Sequence, residues 1–260
     1  IISSGGFLST NNLENLFQSD ISKIILSALM LLSFFSLFLT YNIFFYKKKK
    51  LNYLSEDFYL LIYLLIIISI IFVFFNNKND FLNLLVSISS SVSNIGISFN
   101  DTESNLSFVF LILVIIGGSF FSTSSGLRFI KVISLIKFSL NNLLSHAKPN
   151  QIYRNKVYLS DSNTIKSDIN KYFLTIIIFI ISLFSITLLL TISNNDFESS
   201  FKLGILTIMN TVNSEMYNLN NFDFYNLSFF SKLSLMIFMI IGRVELLTIF
   251  ILIKKFLFKN

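Results

Sequence analysis

Long apolar runs of this chain carry no charge, among them Ile24–Tyr46, Phe58–Asn77, Ser104–Leu127 and Tyr172–Asn195. Each is long enough to cross a hydrocarbon core as a helix, which takes roughly 20 residues. A fifth run, Leu233–Ile253, is interrupted only by Arg243 and Glu245. Of the 260 residues 13% are charged, about half the share in a soluble domain. Mean hydropathy is +0.72. The chain reads as an all-α polytopic membrane protein.

The net charge of +6 does not mark a nucleic-acid binder, because the basic clusters flank the apolar runs. No cysteine is present, so disulfides and thiol chemistry are unavailable. The single His146 excludes a histidine-cluster metal site. Phe, Ile, Asn and Lys all have AT-rich codons, so no function is read into the 32 phenylalanines. The chain opens on Ile1 with no signal-peptide pattern, and is expected to be a fragment that begins inside a motif.

Charge sets the topology. Lys47–Lys50 follow the first run, eight Lys/Arg lie between Arg128 and Lys171, and Lys254, Lys255 and Lys259 follow the last run. The other connections lean acidic, with Glu14, Asp20, Asp80, Asp101, Glu103, Asp196, Glu198, Glu215 and Asp223. The positive-inside rule makes the basic set cytoplasmic. The run near 58–75 then goes outward and the run near 105–127 returns. Segment 81–98 must begin and end outside, though it is apolar and too short to cross twice as helix. The same holds for 201–214. Each is either an amphipathic helix on the outer surface or a re-entrant half-helix with an extended return. The polar tail closing each segment favours the re-entrant form, since irregular backbone at membrane depth must face protein or water. The segment 138–170, with Pro149, reads as a short polar hairpin linking two units.

Three motifs sit at corresponding places: Ser4-Gly5-Gly6-Phe7, Asn94-Ile95-Gly96-Ile97 and Thr211-Val212-Asn213-Ser214. Each closes a short apolar segment and precedes a polar stretch, a long apolar run and a basic cluster. Extended backbone there can turn its carbonyls inward and replace the water shell of a potassium ion. Gly6 and Gly96 supply the backbone freedom, and Phe7 and Ile97 would pack the strand from behind. Half-helix C-termini aimed at the site favour a cation. The candidate filter residues are Ser4, Gly5, Gly6, Asn94, Ile95, Gly96, Thr211, Val212 and Asn213, acting on K+ through backbone carbonyls.

Two further features lie inside the apolar runs. Gly117, Gly118 and Gly126, with Ser119, Ser122, Thr123, Ser124 and Ser125, make that helix breakable. Close helix packing through small residues is the alternative reading. Arg243 falls near mid-membrane, where a charge is a functional-site hypothesis by default.

The chain resembles the potassium-uptake subunits of the Trk/Ktr/HKT superfamily. S-S-G-G-F-L-S-T (3–10) is similar to the second filter of that family, S-N-I-G-I (93–97) to the third, and N-T-V-N-S (210–214) stands in the place of the fourth. G-G-S-F-F-S-T-S-S-G-L-R-F-I-K (117–131) is similar to the break in the third repeat's second span. H-A-K-P-N-Q-I-Y (146–153) is similar to the linker that follows, and I-G-R-V-E-L-L-T (241–248) to the signature of the last span. The family pattern expects glycine at 213, where Asn213 stands.

The resemblance implies repeated span–re-entrant pore helix–span units around a central pore. The parts would be 1–55, the end of repeat 2; 56–150, repeat 3 with the loop 117–126; and 151–260, repeat 4 with Arg243. It implies a gate made by Gly117, Gly118, Ser122, Thr123, Gly126 and Arg243. It further implies potassium translocation without enzymatic chemistry or organic cofactor, potassium being the substrate. A homodimer in the bacterial inner membrane with a cytoplasmic C-terminus is expected, as is a cytoplasmic nucleotide-binding regulatory ring of the TrkA-like kind. A membrane subunit of a respiratory proton-pumping complex, or another secondary cation transporter, is the alternative function. The first would want several buried Lys, Glu or His along its helices, and only Arg243 and Glu245 lie clearly inside a run.

Overall fold

The computed structural model describes residues 19–37, 54–74, 81–98, 106–147, 165–212, 215–219, 224–225 and 227–243. Among these residues the structure is helical. In chain order the helices are α1 (Asp20–Phe34), α2 (Leu54–Phe74), α3 (Phe81–Val92), α4 (Ser107–Ile115), α5 (Phe129–Ala147), α6 (Ile165–Ile192), α7 (Phe197–Ile208) and α8 (Phe229–Arg243). A 3-10 turn spans Glu215–Tyr217.

Helix α6 shows why these elements form. It is a 28-residue run rich in Ile, Leu and Phe with no Gly or Pro. Leu183, Ile186 and Leu190 turn inward, while Phe173, Ile181, Phe184, Leu188 and Ile192 are exposed. A helix that is apolar on all sides belongs in a core or a bilayer. Its segment Ile169–Ile192 is, among the described residues, the one long and apolar enough to cross a membrane by itself.

Helices α3 and α7 are 12 residues each. At 1.5 Å per residue that is about 18 Å, well short of a hydrocarbon core of about 30 Å. They are the two segments whose ends must lie on the same side by charge parity. Helix α1 packs on α3, α6 on α7, and α4 touches both α3 and α7. The core runs between these short helices, with Val92, Phe110, Val114, Ile186, Leu206 and Tyr217 at 0–2% exposure. A smaller cluster joins Leu26 and Met30 of α1 to Val86, Ile95 and Ile97, which buries the chain leaving α3 against α1.

The third apolar run breaks where its glycines and serines predict. Helix α4 stops at Ile115 and α5 starts at Phe129. Past that break the structure departs from the reading of 138–170 as a polar hairpin, because α5 continues to Ala147. Ile136, Leu140, Leu143 and Leu144 recur at helical spacing there, and that stripe outweighs the neighbouring Asn and Ser.

Candidate functional site

Two short helices end in the same backbone turn. In α3, Ser93 N–H donates to Ser89 O, Asn94 N–H to Ser91 O and Ile95 N–H to Ser90 O. In α7, Met209 N–H donates to Ile205 O, Asn210 N–H to Thr207 O and Thr211 N–H to Leu206 O. Asn94 and Asn210 both adopt left-handed backbone, with φ of 60° and 52°. Asn reaches that region at lower cost than other residues bearing a Cβ. The pattern pairs Asn94 with Asn210 and Gly96 with Val212, one residue before Asn213.

The two turns meet. Gly96 has φ of 80°, and a Cβ there would strike the backbone O, N and C of Val212. Both demands select glycine. Ile97 and Ile95 are 4% and 1% exposed and pack with Leu26, Met30 and Val86. Ser90, which the sequence reading passed over, ties the strand down: its Oγ accepts from Ile97 N–H at 2.6 Å. Asn94 is fully buried, and among the described residues neither its Oδ1 nor its Nδ2 has a hydrogen-bond partner, nor does Thr211 Oγ1. Ser4, Gly5, Gly6 and Asn213 lie outside the described residues, as does Phe7.

Below the α7 turn lies a cavity of about 240 Å³. It is lined by Ser122–Arg128 of the break, by Lys131, Thr175 and Phe179, and by Ile208, Met209 and Gly242. Ser122, Thr123 and Gly126 therefore share one space with the end of α7. Gly242 approaches α7 so closely that a Cβ would strike the Ile208 carbonyl. Arg243 follows it as the last described residue of α8, and its side chain lies outside the described residues, as does Glu245.

The break is a closed loop. Gly117 N–H donates to Leu127 O at 2.9 Å, Leu127 N–H to Ile115 O at 3.0 Å and Phe129 N–H to Gly118 O at 3.1 Å. Gly117 and Gly126 lie against each other, with φ of 97° at Gly126. Loop 117–126 also finishes α1, whose last carbonyls need donors from outside the helix. Ser119 N–H reaches Phe34 O and Thr123 Oγ1 reaches Ser33 O. Gly118 sits directly on the Phe34 carbonyl.

Charged groups to which the sequence reading assigned no site role hold this loop. Arg128 Nη1 donates into a cluster of oxygens: Ser119 O, Ser122 O, Ser122 Oγ and Ser124 O, at 3.1–3.2 Å. Glu56, at the start of α2, accepts from Phe120 N–H at 3.0 Å. Asp57 beside it accepts from the N–H and Oγ of Ser36 at 3.0 and 2.5 Å. Glu56 and Asp57 are 5% and 2% exposed. An acidic pair opening an apolar run was the available sequence signal.

No protein-family model matches this chain, and no curated protein sequence matches it significantly. Among solved structures it is similar to the potassium transporter TrkH from Vibrio parahaemolyticus, with a TM-score of 0.80 and 20% identity. The match covers 96% of this chain and 56% of that one, so the chain spans about half the length of its structural neighbour. The arrangement of short helices, turns and broken span described above is thus the TrkH fold.

Proposed function

We propose that this chain forms part of a potassium translocation pathway across a membrane. The observation that carries the reading is the meeting of two helix-ending turns with the same hydrogen-bond pattern, with Gly96 held against Val212, beside a cavity lined by residues of the 117–126 loop. Inward-facing carbonyls on extended strands are a way to strip water from a monovalent cation without fixed charge. The C-terminal ends of α3 and α7 add negative dipole ends near the turns. The fold likeness to a potassium transporter supports potassium as the substrate.

In this reading Ser4–Gly6, Asn94–Gly96 and Thr211–Asn213 supply the ion-binding backbone. Gly117, Gly118, Ser122, Thr123, Gly126 and Arg243 form the constriction beneath. The α3 and α7 helices enter and leave the bilayer on the outer side, and the C-terminus is cytoplasmic, in a bacterial inner membrane. A homodimer and a cytoplasmic nucleotide-binding regulatory ring complete the assembly. The basic residues beyond Lys131, up to Lys171, would face that ring.

Ion binding stabilises the folded state by mass action. The purified protein should unfold at a higher temperature in potassium chloride than in sodium chloride of equal concentration. Gly96→Ser should abolish that difference while the protein still inserts. Equal midpoints in the two salts for the unaltered chain would count against a potassium site.

A further inference from the structure

The loop 117–126 wraps a cation that the chain itself supplies. Four oxygens of Ser119, Ser122 and Ser124 converge on Arg128 Nη1. One N–H₂ group cannot point hydrogens squarely at four acceptors, so much of this contact is charge attracting oxygen lone pairs. The loop's own hydroxyls continue the cluster. Ser122 Oγ donates to Ser119 O or meets Ser124 Oγ, and Ser124 Oγ accepts from Gly118 N–H at 3.0 Å. On the other side Glu56 holds Phe120 N–H, and its carboxylate is within electrostatic reach of Arg128. The loop is therefore gripped from α5 by a positive charge and from α2 by a negative one.

We propose that Arg128 and Glu56 form a latch that keeps the 117–126 loop folded across the cavity, with Arg128 as a tethered cation and both as positioning residues. Three observations make this more than loop packing. The loop is built from small residues with little apolar side-chain area to bury, apart from Phe120 and Phe121. Phe120 is exposed and Phe121 only half-buried, so burial contributes little to holding it. The oxygens around Arg128 come from three separate residues of the loop, so loss of the charge loosens the whole segment rather than one contact. A loop that must open in use is drawn from the low-stability end of a structure, and a charged latch makes it stable without making it rigid.

The latch rests on the proposed pathway only for its purpose; its existence is tested without reference to potassium. Ser125 is the reporter. It is 8% exposed and its Oγ has no hydrogen-bond partner among the described residues, so Ser125→Cys removes none of the bonds seen there. The chain has no other cysteine to react. In membranes carrying Ser125→Cys, the rate of modification by a small charged thiol reagent reports loop opening. Arg128→Met, which keeps length without charge, should raise that rate at least about tenfold, as expected for an opening equilibrium that loses charge-assisted hydrogen bonds. Glu56→Gln keeps an acceptor for Phe120 N–H and should raise it less, about threefold. Arg128→Lys should return most of the protection, because a charged nitrogen donor remains.

If Arg128→Met does not accumulate in the membrane, Glu56→Gln against the unaltered chain decides the matter alone. Unchanged modification rates in accumulating variants would overturn the latch, even if potassium transport is altered. Equal acceleration by Arg128→Lys and Arg128→Met would also overturn it, because shape and not charge would then hold the loop. A latch that opens as described in a chain with no potassium-dependent stabilisation would leave the latch standing and the proposed function refuted.

Discussion

The tips of α3 and α7 share a backbone but not a means of support. The hydrogen bonds of the α3 tip come from within, although its isoleucines also pack on α1. Ser90 Oγ accepts from Ile97 N–H, and Ser87, Ser89 and Ser91 return their hydroxyls to carbonyls three or four residues back. The α7 tip is held from outside. Its counterpart of Ser90 is Leu206, with no hydroxyl to give, and the turn leans instead on α8. Asn210 Nδ2 donates to Met239 O at 3.0 Å, and Gly242 lets α8 lie directly on the Ile208 carbonyl. One turn geometry can thus be made locally or borrowed from a neighbouring helix. The borrowed version ties the tip to α8, the helix that carries Arg243.

The largest effect expected from this comparison is at Gly242. Gly242→Ala drives a Cβ into backbone at the end of α7. Overpacking costs about 1–3 kcal/mol, and here the top of that range is expected because no side chain can yield. The loss should appear as a lower unfolding midpoint, together with altered flux, since α8 and the α7 tip would part. A Gly242→Ala protein as stable as the unaltered chain would show that the tip does not depend on α8.

A smaller effect separates the local support from the borrowed one. Ser90→Ala leaves the buried Ile97 N–H without an acceptor, at about 1–3 kcal/mol. Asn210→Gly keeps the left-handed turn and removes one half-exposed hydrogen bond, at about 0.5–1.5 kcal/mol. Asn94→Gly removes no hydrogen bond and should be near neutral in unfolding assays. If Asn94→Gly costs as much as Asn210→Gly, the two tips are supported alike and the contrast fails.

Much of this arrangement was legible in the chain before any coordinates. Uncharged runs announced long helices, and charge parity singled out 81–98 and 201–214 as segments that cannot cross. Gly117, Gly118 and Gly126 announced the break at the position where α4 stops. What the chain concealed are contacts between residues far apart in sequence. Arg128 read as the first residue of a basic stretch, yet its guanidinium turns back into the serines just before it. Glu56 and Asp57 drew no reading at all, yet both are buried, one on the Phe120 N–H of the loop and the other on Ser36 just after α1. The register of the two tips was hidden for a different reason. Gly96 suggested glycine-to-Asn213 matching, whereas the helix-ending hydrogen bonds match Asn94 with Asn210. Neither Ser90 nor Gly242 carries a local signal for its partner, because one serves a returning strand and the other a neighbouring helix.

The central claim is that the two tips line one potassium path, and uptake of radioactive rubidium into proteoliposomes tests it most directly. The unaltered protein should take up rubidium, and excess external potassium should suppress that uptake more strongly than equal sodium. Gly96→Ser, normalised to inserted protein, should lose this preference, because a side chain at φ of 80° must move the strand away from Val212. Rubidium uptake that is absent from the unaltered protein, or a preference unchanged by Gly96→Ser, would contradict the account.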